Sequence, residues 1–596
     1  MAEDKKTSWK RFQRISFDSK SFSKRAKRAE TNTTRHAHKF VVSKLDNLRN
    51  VKQHIVLWLV LVGTLIGAVA VQMHWNQEAY RTVAWKSGGT YAEASIGPIN
   101  TLNPLYAVTQ AEQSAGKLLF SSLYRYDDTG TLGDDLAVSM DMSDDGKEYV
   151  VRIRDDARWS DNTKLTANDI AFTVSLMQSP EVRSIMQGNW VNVTAEALDE
   201  RTIKFTLPAA YASFPHALTF AVLPEHVLAD TAPGAIRQST FSISPTGSGP
   251  FELKLLQASV DGEHKIANMA ASPRYYGGAP RLSRFELHAY NSADDMATAL
   301  QTGEVTAAAG TNIKPNELPS TFKAEQYPLN SGVYALLNTQ SSILKDKAIR
   351  RALQVGTDTV EVRKAIGYEV PSLHLPFVNG QLSGKNIPAN IEYDSKKAVD
   401  LLNKAGWKLP KDSQVRQKGD QPLELTVVTA NDPTYEKVME RLAGQWRKLG
   451  IKINTDTRDS TSQDFVQTVL QQRSYDVLLY KLVIGVDPDV YAYWHSTQAT
   501  TGGFNFSNYS NSVSDDALSS ARVNSDPALR NEKYKAFARQ WVSDVPAIGL
   551  YQSVLQYVHR PSVHPDIPGR GVPSEIDRYA NVLYWSAQQE SVYKTP

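Results

Sequence analysis

The chain has 596 residues, 66 Lys/Arg against 63 Asp/Glu, and no cysteine. The last fact excludes disulfides, thiol nucleophiles, zinc-thiolate centres and a lipid-bearing cysteine. The near-balance of charge hides two unlike parts, because the first 54 residues carry 15 basic and 5 acidic side chains and the remainder 51 and 58.

Residues 1–54 form a basic head with KRAKR at Lys24 to Arg28. Such a run suits nucleic acid or nuclear import, but Ser, Thr and Lys dominate and aromatics are thin. The economical reading is a largely disordered cytoplasmic tail drawn to anionic headgroups, with no nucleic-acid partner.

Ile55 to Met73 reads IVLWLVLVGTLIGAVAVQM, nineteen residues without a charge. As a helix it spans roughly 28 Å, close to the ~30 Å hydrocarbon core of a bilayer. Trp58 and Trp75 sit where interface anchors belong. Five basic residues precede it within twenty positions (Arg35, Lys39, Lys44, Arg49, Lys52) and two follow (Arg81, Lys86). The excess predicts a single-pass cell-membrane protein with the N-terminus cytoplasmic and everything from about His74 onward extracytoplasmic. Ala68-Val69-Ala70 is an alternative cleavage site, but the head is long for a secretory signal, so an uncleaved signal anchor is expected. Residues 74–86 read as a juxtamembrane linker.

From Lys86 onward the composition is that of a globular protein of several domain-sized units. TYAEAS after Gly88-Gly89 reads as a strand. Asp144-Asp145-Gly146 is a turn leading into YVVRIR, where Tyr149, Val151 and Ile153 share a face. Asp141-x-Ser143-x-Asp145-Gly146 starts like a calcium loop but has Arg152 at its twelfth position, where a bidentate Glu is required. Thr166-x-x-Asp169 has the form of a capping box. Asp394 caps a helix that Gly406 ends. Then LELTVV (Leu423 to Val428), a helix from Asp432-Pro433 to Gly450, a strand Ile451 to Thr455, a helix Asp464 to Gln472 and a strand YDVLLY (Tyr475 to Tyr480) predict a mostly parallel α/β unit. Ligands of open α/β sheets gather beyond the carboxyl ends of strands. The segment after Tyr480, with Asp487, Asp489, Tyr491, Tyr493, Trp494 and His495, stands at such an end; an Asp-Pro turn with aromatic packing is the plainer account of the same residues.

ARWSDNTKLTANDIAFT (Ala157 to Thr173) resembles the x-W-S-D-G-x-P-L-T-A-x-D-V-x-F-T signature of family 5 extracellular solute-binding proteins, the dipeptide and oligopeptide receptors of ABC importers. GGTYAEASIGPINTLNPLYA and LFSSLYRYD before it, and VLPEHVL, PTGSGPFEL, RYYGGAPRLSRFELHAY, LLNTQ with KAIRRAL, YDSKKAVDLLNKAGW, DPDVYAYWHS and NFSNYSNSVSDDAL after it, occur in the family's order, over roughly residues 88–560. The resemblance implies a two-lobed, periplasmic-binding-protein-like α/β fold with mixed or parallel sheets behind one transmembrane helix. It places crossings between lobes near Tyr290-Asn291 and Leu550-Tyr551, giving lobe I as 87–289 plus 551–596 and lobe II as 290–550. It implies peptide capture for a membrane permease and ATPase; Asp487, Asp489, Tyr491, Trp494, Asn338 and Tyr551 are the residues expected to bind the ligand, with no cofactor or metal. A ligand-presenting receptor for a membrane sensor, or a binder of another small solute or metal chelate, is the alternative on the same fold. Asn162 stands where the signature has Gly. Ile484 stands where many peptide receptors carry the Asp that meets the peptide ammonium.

No enzyme is expected. Ser342-x-x-Lys345 matches S-x-x-K without a following K-T-G. There is no H-E-x-x-H and no phosphate-binding P-loop, and His36 and His38 lie in the head, with His288, His374 and His495 scattered.

Overall fold

Ten strands of one mixed sheet organise the body in the computed structural model, which describes residues 27, 31, 48–259, 264–310, 319–459, 462–569 and 572–593. They are β1 (Thr90–Ile96), β2 (Phe251–Ala258), β3 (Lys265–Ala271), β4 (Arg284–Tyr290), β5 (Ala307–Ala309), β6 (Lys323–Leu337), β7 (Glu424–Ala430), β8 (Lys452–Arg458), β9 (Val477–Val483) and β10 (Ala547–His559). Their spatial order is β8-β7-β9-β6-β10-β5-β1-β4-β3-β2.

Upstream, helix α1 (Leu48–Ala79) contains His54–Glu78, a stretch long and apolar enough to cross a membrane and not buried against protein. The predicted span lies inside it. Residues 74–86, read as a linker, are ordered instead: with no Gly or Pro to stop it α1 runs on to Ala79, and RTVAWK forms a strand, Arg81–Lys86. Most of the basic head lies outside the described residues.

One apolar core gathers residues of the first part of the chain, including Tyr91, Trp159, Ile203, Phe205 and Phe285, with Leu555, Tyr557 and Trp585 from its end. The alternation in YVVRIR buries Tyr149, Val151 and Ile153 against it, in a four-stranded antiparallel sheet. Each such side chain contributes about 1.5–3 kcal/mol. The predicted capping box is formed, opening helix α2 (Ala167–Gln178). Asn162 has φ 77°, the left-handed conformation a glycine usually supplies; an Asn side chain tolerates it where a β-branched one does not. Glu112 accepts backbone N–H groups of Asn100, Thr101, Val108 and Thr109 at 2.9, 3.3, 2.9 and 3.1 Å, which is how INTLNPLYA holds its shape.

The second lobe follows the predicted pattern. Asp432 caps α3 (Pro433–Lys448), which buries Val438, Met439, Leu442 and Trp446. β7 pairs parallel with β8 and with β9. The segment after β8 is a π-helix, Phe465–Gln471. The sheet is mixed because β9 lies antiparallel to β6, and β6 antiparallel to β10.

β6 and β10 run through both cores. Leu329 and Leu555 belong to the first core, Val333, Leu550 and Tyr551 to the second. Their pairing shifts register between Pro328 and Gly332, at that handover; Pro328 has no N–H to give the ladder. The chain therefore passes between lobes later than the Tyr290-Asn291 expected from the resemblance. β5 pairs with β1 and β10, and Met296, Ala299 and Leu300 of the helix Ala293–Thr302 pack with Ala92, Ala94 and Tyr290, which keeps residues 293–309 with the first lobe. The return passage spans Tyr551 to Leu555, next to the expected Leu550-Tyr551.

Candidate functional site

The loop after β9 lies where the lobes meet. Its start is tied to the handover, since Ile484 and Gly485 both donate backbone N–H to the Asn330 carbonyl at 2.9 and 3.1 Å. Gly485 has φ +79°, a turn that a side chain would strain. Ile484 is 6% exposed within the second lobe's packing and offers a ligand nothing polar.

Beyond that turn two carboxylates face arginines. Arg530, in the helix Pro527–Asp544, grips Asp487 with Nη1 on Oδ2 and Nη2 on Oδ1, both at 2.6 Å. Ser213 of the first lobe donates to Asp487 Oδ1 at 2.7 Å and accepts from Arg530 Nη2 at 2.9 Å. Burial alone would raise the Asp487 carboxyl, but the hydrogen bonds and charge of Arg530 outweigh it and hold the group below the ordinary carboxylate value. Asp489 is pushed up, because burial exceeds the pull of Arg522, whose Nε lies 3.5 Å from Oδ2.

Arg522 also stacks over Tyr491 of the second lobe and Tyr211 of the first, 4.6 Å from each centroid, and its carbonyl accepts Ala212 N–H at 3.0 Å. Lys481, at the end of β9, reaches Glu575 of the first lobe at 3.7 Å. Half-buried Tyr435 follows the α3 cap; burial first, then the charges of Asp432 and Glu575, raise its phenol. Tyr368 and Tyr551 lie near the same Asp432, and burial first, then that charge among others, raises their phenols too.

Of the six residues expected to bind ligand, Asp487, Asp489 and Tyr491 stand at this seam. The other three are packed inside the second lobe. Trp494 is 1% exposed, its ring against Trp541 at 5.5 Å and Tyr334 at 6.2 Å. Asn338 donates to the Tyr475 carbonyl at 3.1 Å and accepts from Asn508 at 3.0 Å. Tyr551 is 4% exposed on β10. Sequence reasoning missed Arg530, Arg522, Ser213 and Tyr211. The arginines lie on later helices and the other two in the opposite lobe, so no local spacing marks them. A concavity of about 1170 Å³ on the second lobe, between Asp358, Tyr393, Lys437 and Arg441, is open and charged and includes none of the seam residues.

Comparison with known proteins bears on this arrangement. The profile of bacterial extracellular solute-binding proteins, family 5 (middle), matches residues 131–504. The oligopeptide-binding protein AppA of Bacillus subtilis (strain 168) is 25% identical over 479 residues, 78% of this chain and 86% of its own. The probable D,D-dipeptide-binding periplasmic protein DdpA of Escherichia coli (strain K12) is 26% identical over 481 residues, 76% of this chain and 87% of its own. Among solved structures, NikZ from Campylobacter jejuni in complex with Ni(L-His) superposes with TM-score 0.70 at 26% identity, covering 83% of this chain and 99% of its own.

Proposed function

Since the chain belongs to family 5 of the bacterial extracellular solute-binding proteins, we propose that it captures peptides outside the cytoplasm and hands them to the permease and ATPase of an ABC importer. The observation that carries this reading is the seam. Asp487, gripped by Arg530 of its own lobe, accepts from Ser213 of the other, Arg522 stacks on a tyrosine of each lobe, and two long strands change register where they pass between lobes. Such a construction suits hinge closure over a ligand. Relatives named for oligopeptides and dipeptides support the ligand class. They are binding proteins, and we assign no catalytic residue.

In this reading Asp487, Asp489 and Tyr491 act as a latch that ligand-induced closure completes. Arg530 already matches the charge of Asp487, so a peptide ammonium would have to share that carboxylate. Native mass spectrometry of the purified full chain is expected to find co-purifying peptides. For a peptide so identified, N-acetylation should change affinity less than about tenfold, ~1.4 kcal/mol. A hundredfold loss would mean that Asp487 or Asp489 meets the ammonium directly. A nickel chelate in place of peptides would favour the solute class of the NikZ complex.

We also read α1 as an uncleaved anchor that keeps the receptor beside its permease, raising effective concentration without new contacts. Protease added to right-side-out vesicles should digest the body and spare the head. A mature form beginning near Val71 would overturn this.

A further inference from the structure

Two histidines and a glutamate converge on the first lobe, apart from the seam. His264 stands immediately before β3 and His288 lies in β4. In this antiparallel pair Ile266 faces His288 and Lys265 faces Ala289. Side chains alternate, so positions 264, 286, 288 and 290 share one face. The rings agree: His264 stacks on Tyr290 at 4.3 Å and on His288 at 5.9 Å. Glu304 comes from the turn after the helix Ala293–Thr302, which Gly303 ends in a left-handed conformation. That turn is pinned by fully buried Val305 and by Thr306 N–H on the Ala92 carbonyl at 2.8 Å.

The donor atoms are close. Glu304 Oε1 lies 3.2 Å from His264 Nε2 and 3.4 Å from His288 Nδ1, and the three potential ligand atoms all fall within 4.8 Å of one another. In a tetrahedral site with bonds near 2.0–2.1 Å, ligand atoms stand about 3.3 Å apart. The imidazole side chains are 6% and 5% exposed while Glu304 is 42% exposed, so the pocket has two buried nitrogen donors and one side open to water. Glu286 Oε2 stands 3.7 Å from His288 Nε2. It is placed as the outer carboxylate that orients a metal-binding imidazole and directs the other nitrogen inward.

We propose that His264, His288 and Glu304 form a binding site for a divalent transition-metal ion of the Zn2+ or Ni2+ type, clamping the β3–β4 pair to the turn before β5. Two neutral imidazoles and a carboxylate are a borderline-soft donor set that favours such ions over Ca2+ or Mg2+. β4 is five strands from β9 in the sheet order, roughly 24 Å at the usual strand spacing. The site is therefore distinct from the place where the seam would take a ligand. No short motif announces it, since its donors come from two strands and a post-helix turn.

The test is titration of the chelator-treated full chain in detergent with ZnCl2, by calorimetry, beside His288→Phe and Glu304→Gln. The expected result is one more Zn2+ bound by the unmodified protein than by His288→Phe, an affinity at least tenfold weaker in Glu304→Gln, and a Zn2+-induced rise in unfolding temperature that His288→Phe lacks. Glu304 is exposed, so its variant retains the fold and reads the site directly. Equal stoichiometry and affinity in all three proteins would place any bound metal on other histidines and overturn the proposal.

Discussion

Replacing Glu93 by leucine is expected to cost the body about 3–5 kcal/mol, the usual penalty for stranding one partner of a buried ion pair. Glu93 and Arg578 are both fully buried, with Arg578 Nη2 2.6 Å from Glu93 Oε1. The carboxylate also accepts from Tyr557 and Tyr579, each at 2.5 Å, and Arg578 Nη2 donates to Ser114 at 2.9 Å. Burial by itself would lower the guanidinium, but the Glu93 charge more than offsets it and Arg578 is raised. β1 is thereby tied to a segment almost five hundred residues later. Without Glu93 the cation has no anion, and the Tyr91–Tyr557 hydroxyl contact at 2.8 Å loses its terminal acceptor. The urea midpoint of the purified full chain measures the effect. Glu93→Leu combined with Arg578→Met should recover much of the loss, because two apolar groups can replace a buried pair at little cost. An unchanged midpoint in the single variant would mean that the pair is not the tie described.

The second large effect is expected at the latch. Arg530→Met leaves Asp487, 11% exposed, beside Ser213 and His216 but without its guanidinium partner. The uncompensated carboxylate should disfavour closure by about 3 kcal/mol, or roughly a hundredfold in ligand affinity. Ser213→Ala removes one hydrogen bond to charge and should cost about 1.5–3 kcal/mol at most. Calorimetry with the co-purifying peptide gives the affinity. X-ray scattering should show a larger radius of gyration for Arg530→Met with ligand. Unaltered affinity in both variants would remove the latch.

The same contact has a pH signature. The folded Asp487 carboxyl lies below its ordinary value, so its stabilisation is fully present above that ordinary value, near 4, and is lost as pH falls through the lowered one. Arg530 stays charged throughout. His216, facing the same carboxylate, is lowered by burial first, so its change of charge falls below the usual histidine range. Folding stability, read as the urea midpoint, should therefore fall in acid more steeply in the unmodified protein than in Arg530→Met.

Local chemistry made much of the fold legible. The capping residues Thr166, Asp394 and Asp432 each open the helix expected of them, because a cap is a contact between residues two or three apart. The faces of YVVRIR and of α3 follow from strand and helix periods. The apolar stretch from Ile55 to Met73 follows from composition alone. The strand after Gln472 begins at Val477, later than Tyr475, and runs on to Val483, since its extent is set by pairing with β6.

The site was half legible for the same reason. Asp487, Asp489 and Tyr491 stood out because they follow a strand end, but their partners did not. Arg530 and Ser213, from a later helix and the other lobe, take up the oxygens of Asp487. Trp494 and Asn338 have residue types that suit a ligand, yet aromatic packing surrounds the first and a backbone carbonyl holds the second, while Tyr551 is buried on β10 near Tyr435 and Tyr368. His288 stood alone in the sequence and acquires His264 and Glu304 only when β3, β4 and the turn after a helix come together. Composition, periodicity and capping are properties of neighbours along the chain, and the sequence by itself determined those. Which charge meets which, and which aromatic ring remains to greet a ligand, depends on contacts between distant segments, and only the tertiary structure decided them.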